Sequence, residues 1–557
     1  MKDKSYTKGS TATPLLNITI GAMLDQTAQK HPTNDALISR HQGIRYTYKE
    51  FNDKVDECAK AFLALGIEKG DRVGVWSPNC AEWVIVQFAT SKIGAIQVNI
   101  NPSYRVHELE YALNQSGCKA LVTADSFKSS MYGDMLLELA PEIASSENKE
   151  IEASKLPHLK YLVLLDAKSR PGFYSWEEFQ HLGKDISDEA FGLAQHHLSP
   201  EDPINIQYTS GTTGSPKGAT LSHHNILNNG RLVASIMKFS HKDRLIIPVP
   251  LYHCFGMVMG NLGCVTHGAT MIYTSAGFEP EEVLKAAEEE RATALFGVPT
   301  MFIAELEHPS FDQYDLTSLR TGIMAGSLCP VEVMKRVNNE MHMTEVEIAY
   351  GMTETSPVST QTRHDAPFDK RVSTVGRILD HTEIKIVNPE NGDIVERGES
   401  GELCTRGYCV MLGYWNDEEK TNEAIDEEGW MHTGDLATMD DEGYINIVGR
   451  IKDMLIRGGE NIYPREIEEF LYTHSSISDV QVIGVPDKKF GEEIMAWIKL
   501  KEGTTCNSDD IKTFCKGKIS HYKIPRYIKF VDSFPMTVTG KIRKVEMREI
   551  SVQELGL

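Results

Sequence analysis

Between residues 72 and 123 the chain alternates short apolar runs with longer helical stretches, and nothing else in it constrains the fold as strongly. Residues 72–76 read as a strand, 81–93 as a mostly apolar helix and 95–100 as a second strand. Residues 106–114 then read as a helix and 119–123 as a third strand. Strands this apolar need cover on both faces, which helices returning between parallel strands supply. Upstream, Thr47-Tyr48-Lys49-Glu50 spells a capping box, and Val55, Ala59, Phe62 and Leu63 recur at helical spacing. Residues 126–200 are more polar and irregular, apart from a strand at 161–165, and are expected at the surface. Alternation resumes at Asp202 and runs past Glu354. The expected class is therefore α/β, with a large N-terminal domain of doubly wound sheets.

Residues 245–278 lack any Asp, Glu, Lys or Arg, which invites reading them as a membrane span. Pro248, Pro250, His253, Asn261, His267 and five glycines break the stretch, so a buried strand–helix–strand is expected instead. Beyond about residue 375 the texture changes to short strands (383–387, 401–405, 444–448) with turns at Asn391-Gly392 and Glu442-Gly443, a small β-rich subdomain. A final α+β segment follows: helices at 464–472 and 508–516, strands at 480–485 and 494–500. The net charge of −22 over 557 residues argues against a nucleic-acid binder, which needs a basic face. Ten cysteines without a Cys-x-x-Cys pair point to reduced thiols in a cytosolic-type compartment.

The chemistry concentrates in Tyr208-Thr209-Ser210-Gly211-Thr212-Thr213-Gly214-Ser215-Pro216-Lys217-Gly218, directly after a strand at 203–208. Glycines let backbone approach a phosphate, while N–H groups, hydroxyls and the Lys217 ammonium supply donors. The spacing is not that of a Walker A loop, because Pro216, Lys217 and Gly218 stand where Gly, Lys and Ser/Thr are required. The stretch Thr209 to Gly218 resembles the phosphate loop of the adenylate-forming superfamily of acyl-CoA synthetases, peptide-synthetase adenylation domains and luciferases. That resemblance implies ATP attacked at its α-phosphate by a carboxylate.

Further segments carry the resemblance in family order. Ala349-Tyr350-Gly351-Met352-Thr353-Glu354 is similar to the aromatic-Gly-x-Thr-Glu motif, which implies Tyr350 on adenine, Thr353 at phosphate and Glu354 as the Mg²⁺ ligand. Trp430-Met431-His432-Thr433-Gly434-Asp435 implies a ribose contact at Asp435, and Arg450 a further ribose or phosphate contact. Lys452 stands where the family has its hinge, dividing a domain 1–451 from a mobile domain 452–557. Arg457-Gly458-Gly459-Glu460-Asn461 is expected to face the site after the hinge turns. Pro535-Met536-Thr537-Val538-Thr539-Gly540-Lys541 implies that Lys541 meets the substrate carboxylate and the α-phosphate. The catalytic candidates are Lys541, Glu354, Thr209 and Thr353. The nucleotide candidates are Thr209, Ser210, Gly211, Thr212, Thr213, Gly214, Ser215, Pro216, Lys217, Tyr350, Asp435, Arg450 and Lys541. Residues 251–256 and 324–327 resemble acyl-pocket segments, though core packing explains their apolar members equally well.

Residues 202–207, 406–415 and 514–521 look most like the acyl-CoA synthetase family member 2 group of medium-chain fatty acid ligases. The resemblance implies fatty acid, ATP and coenzyme A as small-molecule partners, with no nucleic acid and at most peripheral membrane contact. Homo-oligomers stay open. A cytoplasmic location is expected, because residues 1–13 hold Lys2, Lys4 and Lys8 but no arginine or apolar run; by resemblance the alternative is the mitochondrial matrix. Two other readings stand beside the ligase: an adenylation protein loading a separate carrier, and a catalytically silent nucleotide binder.

Overall fold

A computed structural model describes residues 3–146, 149–165, 170–209, 216–327, 329–457, 460–537 and 541–557. Its centre is two large sheets. In the first, strands Tyr174–Ser175, Tyr161–Leu164, Cys118–Thr123, Arg72–Trp76, Ile96–Asn99 and Pro203–Thr209 lie parallel in that order. Lys217–Ser222 and Gly413–Tyr414 then extend the sheet antiparallel. The second sheet runs parallel from Glu345–Gly351 through Thr321–Met324, Ala294–Gly297, Arg244–Ile246 and Thr270–Tyr273 to Asp35–Ser39, with antiparallel strands at both edges. The main core lies between them, filled by helices Tyr48–Ala64, Ala81–Ile93 and His223–Ile236. Twelve of the thirteen residues of Ala81–Ile93 are buried, so that helix carries apolar residues all round and no single apolar face.

The capping box at Thr47 forms as the sequence predicts: its hydroxyl accepts the Glu50 N–H and the Glu50 carboxylate accepts the Thr47 N–H. The uncharged stretch folds as strand Arg244–Ile246, a wide π-type helix Phe255–Leu262 running on into Gly263–His267, and strand Thr270–Tyr273. No described helix is long and apolar enough to cross a membrane. Between residues 126 and 200 the expectation of an irregular surface region is overturned. Helix Tyr132–Leu139 puts Tyr132, Leu136 and Leu139, spaced four and three apart, into a core with Ile143, Ile151 and Phe173. The spacing of Tyr132, Leu136 and Leu139 places them on one helix face, within a region whose other stretches are more polar.

An antiparallel sheet of Tyr6–Lys8, Thr382–Val387, Gly401–Gly407, Met431–Met439 and Ile445–Arg450 forms the β-rich unit. Its first strand comes from the extreme N-terminus, which carried no such signal; Tyr6 Oη donates to Glu383 at 2.6 Å. Beyond it, Leu455–Arg457, Glu460–Ile462, Ile477–Asp487, Gly491–Leu500 and Tyr527–Phe530 build a separate sheet with its own core. The α/β class with a β-rich unit and a small α+β unit is thus as the sequence predicts.

Lys92 is 1% exposed and ties three helices together: its ammonium reaches Asp25 at 2.6 Å, Asp56 at 2.5 Å and Asn52 Oδ1 at 2.9 Å. Removing one member of a buried ion pair costs about 3–5 kcal/mol. Both aspartates keep about a third of their side-chain surface in water, so the low end applies. Lys92→Ala is expected to lower the calorimetric melting temperature by several degrees; an unchanged transition would show that the clamp contributes nothing.

Candidate active site

Among the described sequence-predicted residues, Thr209 and Tyr350 stand at the carboxyl ends of parallel strands, where ligands of open α/β sheets bind. Pro203–Thr209 ends at Thr209 and pairs antiparallel with Lys217–Ser222, Thr209 opposite Lys217. The phosphate-type loop therefore closes a hairpin and does not lead into a helix, which explains why its spacing departs from Walker A. Ser210, Gly211, Thr212, Thr213, Gly214 and Ser215 lie outside the described residues. Their flanks are fixed: Tyr208 Oη donates to Gln115 at 2.6 Å, and Tyr111 Oη to the Pro216 carbonyl at 3.1 Å.

Glu345–Gly351 delivers Tyr350, and the short 3₁₀ turn Thr353–Thr355 that follows buries Thr353 and Glu354. Gly351 is a glycine because a Cβ there would stand 1.7 Å from the Pro357 carbonyl oxygen. One oxygen of the Glu354 carboxylate, Oε1, accepts from Tyr414 at 2.8 Å and from Thr209 at 3.3 Å. Its Oε2 takes no hydrogen bond among the described residues, so a hard oxygen remains available, the donor type Mg²⁺ selects.

Asp435, on Met431–Met439, accepts the Tyr350 hydroxyl on Oδ2 at 2.7 Å and faces Arg450 Nε from Oδ1 at 3.0 Å. Each carboxylate oxygen keeps a lone pair for a ribose hydroxyl. The turn beneath it is buttressed by Glu402, which accepts from the Gly434 N–H and from His432 Nδ1, both at 3.0 Å. Gly434 takes a left-handed φ of +69° there.

Lys541 arrives from the C-terminal unit. Thr537 holds its backbone, the hydroxyl accepting the Lys541 N–H at 3.1 Å; Val538, Thr539 and Gly540 lie outside the described residues. Burial and the Arg450 charge hold the Lys541 ammonium below the usual lysine range, while Glu354 and Asp435 pull it back up. All three of those groups belong to the N-terminal part. His253 feels the same cation: burial first, then Lys541, push it down to about 3, leaving a neutral imidazole. The two units also touch where Ser478 donates to Glu307 at 2.8 Å and Arg465 to the Ile447 carbonyl. Lys452 falls in the turn Ile451–Asp453 between them. Arg457 pairs with Glu493 at 2.9 and 2.8 Å; Gly458 and Gly459 lie outside the described residues.

A family model described as AMP-binding enzyme matches residues 24–415, and one described as AMP-binding enzyme C-terminal domain matches 466–541. The chain belongs to the AMP-binding enzyme family. It is 51% identical over 543 residues to YngI of Bacillus subtilis (strain 168), which carries the provisional name acyl-CoA synthetase, covering 98% of this chain and 99% of that protein. To the mitochondrial medium-chain acyl-CoA ligase ACSF2 of Bos taurus it is 46% identical, covering 99% and 91% of the two chains. The solved structure of the anthranilate CoA ligase AuaEII in complex with anthranoyl-AMP superposes with a TM-score of 0.86 at 25% identity, covering 98% of this chain and 99% of the other.

Within this AMP-binding enzyme, several residues that buttress the candidate site escaped sequence reasoning. Gln97, Asn99, Asn205 and Gln207 form a buried amide ladder on neighbouring strands: Gln97 donates to Asn99 at 2.9 Å, Asn205 to Asn99 at 3.0 Å and Gln207 to Asn205 at 2.9 Å. Asn99 also donates to the Tyr252 carbonyl at 2.9 Å, which holds the segment carrying His253. The available signal was an amide at every second position of otherwise apolar strands. Tyr414 and Glu402 offered no spacing signal, because each acts on a motif from another part of the chain.

Proposed function

We propose that the protein is an ATP-dependent fatty acid–CoA ligase acting on medium chains. The observation that carries this reading is that Lys541, brought in by the C-terminal unit, lies in the field of Glu354, Asp435 and Arg450. The names of the full-length relatives support coenzyme A as acceptor. In the first step a carboxylate oxygen attacks the α-phosphorus of ATP, the bond to pyrophosphate breaks and acyl-AMP forms. Thr209, Lys217 and Thr353 donate to the phosphates, Asp435 and Arg450 hold the ribose, and the Tyr350 ring flanks adenine with its hydroxyl pinned to Asp435. Lys541 offsets the charge that builds on the carboxylate and α-phosphate. Glu354 is the residue that would hold Mg²⁺, which supplies charge neutralisation on the phosphates.

In the second step the coenzyme A thiolate, its proton already lost to solvent, attacks the acyl carbonyl, the C–O bond to AMP breaks and AMP leaves with its electrons. Rotation about Lys452, between units 1–451 and 452–557, exchanges Lys541 for the segment that starts at Arg457, so one cavity serves both steps. Ten free cysteines accord with a reducing, cytoplasmic setting. The test is pyrophosphate release with ATP and Mg²⁺ across saturated acids from acetate to stearate, plus benzoate, each with and without coenzyme A. A coenzyme A-dependent maximum at medium chains is expected. Acid-dependent pyrophosphate exchange with no thioester formed would identify an adenylation protein serving a separate carrier instead.

A further inference from the structure

Tyr414 occupies an edge strand, Gly413–Tyr414, that pairs antiparallel with the exit of the phosphate-type loop, Ala219 opposite Tyr414. The strand is held from both sides. Leu412 N–H donates to the Thr220 carbonyl at 2.9 Å, Trp415 N–H to Gly218 at 2.7 Å, and Tyr414 N–H to Thr421 Oγ1 at 2.8 Å. From this fixed base the phenol, 6% exposed, reaches Oε1 of Glu354, itself 5% exposed. The face of the same ring carries the Lys217 ammonium, 4.3 Å from its centroid. One side chain therefore touches both the candidate metal carboxylate and the cation that closes the loop.

A carboxylate on a flexible stem can turn either oxygen to a ligand, and a donor fixed on one oxygen removes that freedom. The Thr209 contact at 3.3 Å is too long to do this alone, whereas the phenol at 2.8 Å has the geometry of a full hydrogen bond. We propose that Tyr414 is a positioning residue for metal binding: its hydroxyl pins Oε1 of Glu354, so that Oε2 is presented to the divalent cation on the ATP phosphates. The proposal rests on the adenylation reading above. Tyr414 also packs in the main core, which Tyr414→Phe would preserve.

Outer-shell partners of a metal ligand are worth roughly 10–100-fold in metal affinity or activity. In Tyr414→Phe, the Mn²⁺ affinity of the protein–ATP complex, read by electron paramagnetic resonance, is expected to fall about tenfold. The Mg²⁺ concentration for half-maximal pyrophosphate release should rise by a similar factor. Melting temperature, metal-free ATP binding and transfer of supplied acyl-AMP to coenzyme A are expected to match the wild type. Unchanged Mn²⁺ affinity overturns the proposal, as does an equal loss of metal-free ATP binding, which would mean a purely structural role. If the wild-type protein forms no acyl-adenylate from any acid, the ligase reading fails, yet a Mn²⁺ affinity lost in Tyr414→Phe would still uphold the positioning role.

Discussion

Lys541→Ala is expected to slow acyl-AMP formation by about 10²–10³-fold, the usual consequence of deleting one preorganised donor from a charge-stabilising site. Transfer of a supplied acyl-AMP to coenzyme A should proceed near the wild-type rate. The asymmetry follows from where the lysine comes from. It is delivered by the C-terminal unit into the field of Glu354, Asp435 and Arg450, and in the proposed mechanism the same unit moves before the thiol reaches the acyl carbon. A residue that leaves with the moving unit cannot help the second step. The pH dependence has a definite sign. Burial and Arg450 depress the ammonium's pKa below its ordinary 10.5, so the required cation is complete only below that depressed value. Adenylation should therefore decline with rising pH sooner than for an exposed lysine, and the alanine variant should lack that limb. Rapid-quench measurement of each half-reaction checks both points; equal losses in the two steps would remove Lys541 from its assigned role.

Much of this architecture could be read from local pattern. Strand Arg72–Trp76, helix Ala81–Ile93 and helix Pro464–Tyr472 fall on their predicted limits, and the capping box at Thr47 forms, because each depends on residues within a turn or two. What local pattern could not show is pairing across long separations. Strand Tyr6–Lys8 spans three residues and finds its partner 377 positions away. The region 126–200 contributes Tyr132, Leu139 and Phe173 to a core whose other wall is drawn from residues 96–121, so its average polarity concealed its burial. The site divides in the same way. Thr353 and Glu354, or Thr433 and Asp435, are legible because each motif is contiguous. Tyr414, Glu402 and the amides of Gln97, Asn99, Asn205 and Gln207 reach the candidate site only through what they touch, and those contacts exist only once the sheets have assembled.

Glu354→Gln carries the other large expected effect. Glutamine keeps the size of the side chain and an oxygen for the Tyr414 and Thr209 hydroxyls, so the buried turn Thr353–Thr355 should fold as before. It also keeps the Met411 N–H bond to the residue 354 carbonyl, 2.9 Å in the wild type. What it loses is the charge and one of two equivalent oxygens. If Oε2 is the group that meets Mg²⁺, the loss should exceed the roughly 10–100-fold typical of an outer-shell partner. Acid-dependent pyrophosphate release is expected to fall by about 100-fold or more, with the Mg²⁺ requirement shifted upward and ATP binding no longer strengthened by the metal. Calorimetric titration of ATP with and without Mg²⁺ separates this from a general loss of nucleotide affinity. A variant whose ATP binding responds to Mg²⁺ as the wild type does would assign the metal to another residue, and would leave the buried Tyr414–Glu354 contact as a structural tie between the loop hairpin and the turn after Gly351.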